Sequence, residues 1–147
     1  MKKTAAYFLL LGLTLIGCKL IKNNNHKKEA VYLYQVSGTP VRPLNYKENT
    51  QYIVDYEVLK SYPVGDSDVV KLDKILSSDS LVMKENHRSC EFSPAYALKW
   101  LSGKVILISL SPCSKIQVMK KATDAVVVDD LGEHSDLEKW VLNTASK

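Results

Sequence analysis

The apolar run Val105 to Leu110 most restricts what this chain can build. It reads VILISL, without polar alternation, so the strand it forms must be covered on both faces. Its first neighbour is adjacent in sequence. Ala95 to Leu101 precedes it across Ser102-Gly103, a pair suited to a two-residue hairpin turn. A hairpin over 95–110 is therefore the expected centre of a mainly antiparallel sheet. Pairing Leu101 with Lys104 brings Phe92 opposite Cys113 and Cys90 opposite Lys115. The two cysteines then stand one diagonal step apart at the open end, where Pro94 and Pro112 bend the strands. A small adjustment joins them, so a Cys90–Cys113 disulfide is expected.

The rest of the chain supplies partners for that hairpin. Ala30 to Val36 alternates and reads as a strand, followed by a loop with Gly38, Pro40 and Pro43. Gln51 to Leu59 is the clearest alternating stretch, with Tyr52, Val54, Tyr56 and Val58 on one face and Asp55 and Glu57 on the other. Those tyrosines fit a half-buried sheet face, and a binding platform is the alternative. After Gly65, Asp66 or Ser67 is placed to cap a helix over 67–77 with Val69, Leu72, Ile75 and Leu76 on its apolar side. Leu81 to Met83, Ile116 to Met119 and Ala125 to Asp129 are short strand candidates. Ser135 and Glu138 have capping-box spacing and open a C-terminal helix over 136–145, whose stripe of Leu137, Trp140 and Val141 docks on the sheet. The expected fold is a small single-domain α+β structure with five to six strands.

The amino terminus specifies an address. Met1-Lys2-Lys3 is a short basic start, and Ala5 to Ile16 is an almost wholly apolar run. The run is shorter than the roughly 20 residues a membrane helix needs. It ends in Leu15-Ile16-Gly17-Cys18, which resembles the lipobox of bacterial lipoproteins: Leu, a small or branched residue, a small residue, then Cys. The resemblance covers the first 18 residues and implies cleavage after Gly17, with residues 1–17 removed. It also implies diacylation of the Cys18 thiol and acylation of the new amino terminus. Several acyl chains anchor stably where one is marginal. In Gram-negative lipoproteins Asp after the lipidated Cys favours the inner membrane. Lys19 here implies the outer membrane, facing the periplasm, if the source is Gram-negative. Residues 18–29 then form the lipidated Cys and a solvated tether rich in Asn and Lys, and 30–147 the globular domain.

This division changes the meaning of the charge. The full chain carries +4, but from Ala30 onward 14 Lys and Arg face 15 Asp and Glu. The basic excess lies beside the membrane, where anionic headgroups attract it. The folded part lacks the excess that nucleic-acid binding requires, so no nucleic-acid partner is expected. Of 3 cysteines, Cys18 takes lipid, and Cys90 and Cys113 remain as a pair for an oxidising compartment.

Residues with catalytic chemistry are sparse. His87 lies three residues before Cys90, but a metal site there competes with the disulfide and lacks further ligands. Asp129, Asp130, Glu133 and His134 form the densest polar cluster, yet their spacing departs from the calcium-loop pattern and suits a polar connection into Ser135. His26 lies in the tether. Ser109 and Ser111 lack the context of a hydrolase nucleophile. No cofactor, metal or catalytic set is therefore expected. The reading favoured is a lipid-anchored, non-catalytic module that binds an envelope protein, of the immunity or inhibitor kind. A small-ligand, metal-binding or enzymatic lipoprotein using Asp129, Asp130, Glu133 and His134 is the alternative. A structural envelope component is the third.

Overall fold

The computed structural model describes residues 29–78, 89–119, 127–132 and 135–147, with side chains of 127 and 128 excepted. Within them lie seven strands and two helices in an α+β arrangement. The strands are β1 (Val31–Val36), β2 (Tyr52–Ile53), β3 (Tyr56–Pro63), β4 (Tyr96–Trp100), β5 (Val105–Ser109), β6 (Lys115–Met119) and β7 (Val127–Asp130). The helices are α1 (Asp66–Leu76) and α2 (Asp136–Ala145). The sheet runs β2-β3-β1-β4-β5-β6-β7, every neighbouring pair antiparallel.

All five residues of β5 are buried, as an unbroken apolar strand requires. Both faces of the sheet are covered. On one face α1 and α2 pack against Val31, Leu33, Leu98, Ile106, Ile108 and Ile116, contributing Val69, Leu72, Leu137, Trp140 and Val141. On the other, Tyr34, Val36, Ala97, Val105 and Leu107 meet Ile53 of β2. β2 is the outermost strand, so its membership of a cluster that includes β5 means the sheet curls and brings its edge back over this face. Trp140 also donates from Nε1 to the Asp68 carbonyl of α1 (3.2 Å), so it docks α2 on the other helix as well as on the sheet.

Four expectations need correction. The stretch Gln51 to Leu59 is not one strand. It reverses at Val54-Asp55, and Tyr52 pairs with Glu57 and Ile53 with Tyr56. Val54 carries φ 56°, an unusual backbone for a β-branched residue. The reversal puts Ile53 in the second core, which continued alternation would have left on the face of Asp55 and Glu57. It also accounts for seven strands where five to six were expected.

The turn of the central hairpin holds three residues, Leu101-Ser102-Gly103. Trp100 N donates to Lys104 O and Gly103 N to Trp100 O (both 3.0 Å), with Gly103 at φ 92°. That is the loop in which a glycine in the left-handed region closes a bulge. The ladder therefore pairs Lys99 with Val105 and Tyr96 with Ile108, one residue off the anticipated register, and Leu101 moves from the strand to the surface. The ladder also stops at Tyr96, so the expected pairs of Phe92 with Cys113 and Cys90 with Lys115 do not form.

Helix α1 begins at Asp66 behind Gly65, with no side-chain cap at its first turn. Neither Asp66 nor Ser67 is the cap. Both residues belong to the exposed first turn of the helix, after the cap position, and Gly65 O accepts from Asp68 N (2.9 Å) and Val69 N (3.0 Å). At α2 the capping box forms by half. Ser135 Oγ accepts from Glu138 N (3.2 Å), but the Glu138 carboxylate does not turn back to Ser135. Ser135 N already donates to Gly132 O (3.1 Å), so that role is filled. The candidate strand Leu81 to Met83 lies outside the described residues.

Candidate functional site

Two polar constructions occupy the end of the sheet where β1 finishes. The first is closed. Cys90 and Cys113 are paired as a disulfide with Cα atoms 6.2 Å apart. Beside it, Lys115 Nζ donates to Cys90 O (2.9 Å) and stands 3.6 Å from Asp130 Oδ1 of β7. Ser109 Oγ donates to Cys113 O (2.8 Å). The turn between β5 and β6 is gripped from the helix side by Glu138, only 4% exposed. Its Oε1 accepts from Ser111 N (3.1 Å) and its Oε2 from Ser114 Oγ (3.1 Å). A carboxylate this deep is tolerable because each oxygen is hydrogen-bonded and it sits in the first turn of α2, where the helix dipole favours negative charge. Every group here faces another group of the chain, so the corner is a staple between β5, β6, β7 and α2.

The expected polar cluster is thereby divided. Asp130 belongs to the staple through Lys115, and Asp129 aligns with Ile116 on β6. Glu133 and His134 lie outside the described residues, as does His87. Among the described residues no three His, Cys, Asp or Glu side chains are grouped to hold a metal ion. Ser109 and Ser111 use their hydroxyls in the corner. Cys18 also lies outside the described residues, and among those described no helix is long and apolar enough to cross a membrane.

The second construction is open. Residues 37–51 join β1 to β2, a length that in compact domains usually signals a role for the loop. The loop is tied down at intervals. Ser37 N donates to Glu57 O (2.8 Å), and Val41 N to Asp55 O (2.6 Å). Ser93 Oγ donates to Gly38 O (2.9 Å), and a Cβ at Gly38 would meet that oxygen at 2.6 Å, so glycine permits the approach. Pro43 starts a short 3-10 turn, Pro43–Asn45, that presents Leu44 with 97% of its surface exposed. Directly after it, Tyr46 stacks on Tyr52 with ring centres 3.9 Å apart and planes 6° off parallel. Tyr46 Oη donates to Val54 O (3.1 Å) and Asp55 Oδ1 (3.0 Å), which braces the strained reversal. Burial and the Asp55 hydrogen bond, with the charges of Asp55 and Tyr52, raise the Tyr46 phenol above its ordinary 10.0. Tyr52 Oη accepts from Lys47 N (3.0 Å), and Lys47 Nζ pairs with Glu57 at 3.1 Å.

Tyr56 packs against the second core, whereas Tyr52 stands outside it, stacked on Tyr46. Leu44 and Tyr46 escaped sequence reasoning. The available signal was the length of the loop and the Pro43 that pre-sets its turn. What this arrangement can do is bind. It offers a stacked tyrosine pair, a residue type enriched at protein contact sites, beside an exposed leucine on a loop tied by backbone hydrogen bonds. Comparison with known proteins finds no matching family model, no matching curated protein and no matching solved structure.

Proposed function

We propose that this chain is a lipid-anchored bacterial envelope protein that acts without catalysis, by binding another protein through the 37–57 wing. The anchor part rests on the likeness of Leu15-Ile16-Gly17-Cys18 to a lipobox, with Cys18 as the acylated residue. The binding part rests on one observation above the others. Leu44 is held almost wholly in solvent on a proline-set turn, next to the Tyr46–Tyr52 stack. An exposed leucine alone is ordinary. A leucine fixed there by a braced loop has had its ordering cost met before any partner arrives. The domain's near-balanced charge points to apolar and hydrogen-bonded recognition rather than long-range steering. Immunity to a lytic protein, or its inhibition, is the form of binding that this address and size suit.

The test is a photo-reactive amino acid placed at Leu44 in the full-length protein, irradiated in the native envelope. A discrete protein adduct at position 44, missing when the same residue stands at Leu142 on α2, is the expected result. Equal labelling at both positions, or none at 44, removes the wing as a contact site. Intact mass of the membrane-extracted chain checks the anchor: it should begin at Cys18 and carry acyl mass.

A further inference from the structure

The opposite end of the sheet carries a second surface. The chain enters β1 beside the tip of the β4–β5 hairpin: Leu101 N donates to Ala30 O (3.3 Å), and Ser102 N donates to the Glu29 carboxylate. At this tip Leu101 is 72% exposed. Lys104 lies over the Trp100 ring with Nζ 4.6 Å from its centre, and Lys99 precedes it on β4. α1 begins near this end with two acidic residues in its first turn, the exposed Asp66 and Asp68, the latter matched by Lys147 at 2.6 Å and Lys71 at 3.8 Å.

We propose that the hairpin tip Trp100–Lys104 is a lipid-contact surface, with Leu101 entering the headgroup boundary of an anionic bilayer and Lys99 and Lys104 meeting lipid phosphates. The inference rests on the lipid-anchor reading. The chain enters the domain at this end, so the tip is the part of the sheet closest to the anchor along the chain. Ten residues separate Cys18 from Glu29, and ten residues reach at most about 35 Å even when fully extended. Glu29 is itself tied to the tip, so the anchor holds Leu101 within that distance of the bilayer. Lys104, over the Trp100 ring, and Lys99, on the other face of β4, are the basic groups beside the apolar residue, while the Glu29 carboxylate at the tip is engaged by Ser102 N; each basic side chain near an anionic leaflet strengthens attachment. An amphipathic arrangement of this kind seats its apolar part about 5–10 Å into the interface. The wing lies at the far end of β1, turned toward whatever the protein binds.

The experiment uses the full-length lipidated protein in vesicles of phosphatidylethanolamine and phosphatidylglycerol, with a photo-reactive amino acid at position 101 and, separately, at Leu142. Flotation with the vesicles and intact mass report the anchor, and mass of the photoproduct reports the contact. A phospholipid adduct at 101, absent at 142 and reduced several-fold in phosphatidylcholine vesicles or by Lys104→Glu, is expected. Protein that floats and carries acyl mass but gives no phospholipid adduct at 101 overturns the contact while leaving the anchor. An adduct to protein at 101 overturns it too. A yield indifferent to lipid charge and to Lys104→Glu removes the lysines from it. Protein without acyl mass that does not float overturns the anchor itself.

Discussion

The corner around Cys113 and the wing around Leu44 lie at the same end of one sheet, yet they treat their polar and apolar groups in opposite ways. In the corner, Glu138, Ser111, Ser114 and Lys115 turn inward onto one another and onto backbone. In the wing, hydrogen bonds from Tyr46 and Lys47 hold the scaffold from behind and leave Leu44 facing outward. A buried polar group contributes stability because its removal strands its partners. An exposed apolar group contributes almost none, so Leu44 is held in place by the loop without adding to the stability of the fold.

That contrast can be broken at several points. The largest effect is expected from opening the disulfide. Cys90→Ser with Cys113→Ser should lower unfolding free energy by about 3 kcal/mol in the chain-entropy account, read from denaturant melts. Glu138→Ala should cost about 2 kcal/mol by leaving the Ser111 amide and Ser114 hydroxyl without their acceptor. The two changes share the turn between β5 and β6, so together they should cost less than their sum, and strict additivity would show that the corner is not one unit. In the wing, Leu44→Asp should shift stability by under about 0.5 kcal/mol, and the variant, added as competitor, should no longer reduce the adduct formed by a photo-reactive residue at position 44 of the otherwise unchanged chain. Loss of stability there as large as in the corner would end the comparison.

The smallest effect concerns pH. The hydrogen bond from Lys147 holds the Asp68 carboxyl below its ordinary 3.8; burial opposes it, and the charges of Lys147 and Lys71 assist. A depressed carboxylate stabilises the fold above its unfolded value and loses that contribution as pH falls through the folded one. Lys147→Ala should therefore lower stability slightly at pH 7, and that loss should shrink as pH falls below 3.8. Carboxyl resonances followed by NMR should show the Asp68 midpoint rising.

Much of the fold was legible because it follows from periodicity. The unbroken run of β5 and the stripe of α2 each point to one arrangement, whereas the Cys90–Cys113 bridge forms without the hairpin pairing expected to bring it about. The misses share a different cause. The reversal at Val54-Asp55 has no glycine or asparagine to announce it, and its alternation reads the same whether the chain goes on or turns back. What makes it turn is Ile53, drawn into a core whose other members come from β1, β4 and β5. The one-residue error at Leu101-Ser102-Gly103 has a similar origin, since the same dipeptide serves both two- and three-residue loops. Glu138 was expected to close its own helix, and a tertiary partner, the Ser111–Ser114 turn, took the carboxylate instead. Leu44 was invisible to hydrophobic patterning because it belongs to no pattern.

The position of β1 has a mechanical consequence. The chain arrives at one end of this strand through Glu29 and leaves at the other into the wing, and β1 is flanked by β3 on one side and β4 on the other. Force applied between Glu29 and the wing would run along the strand. The ladder bonds to both neighbours lie across that direction. They would be loaded together in shear, whereas a strand at the edge of the sheet has one ladder to share the load.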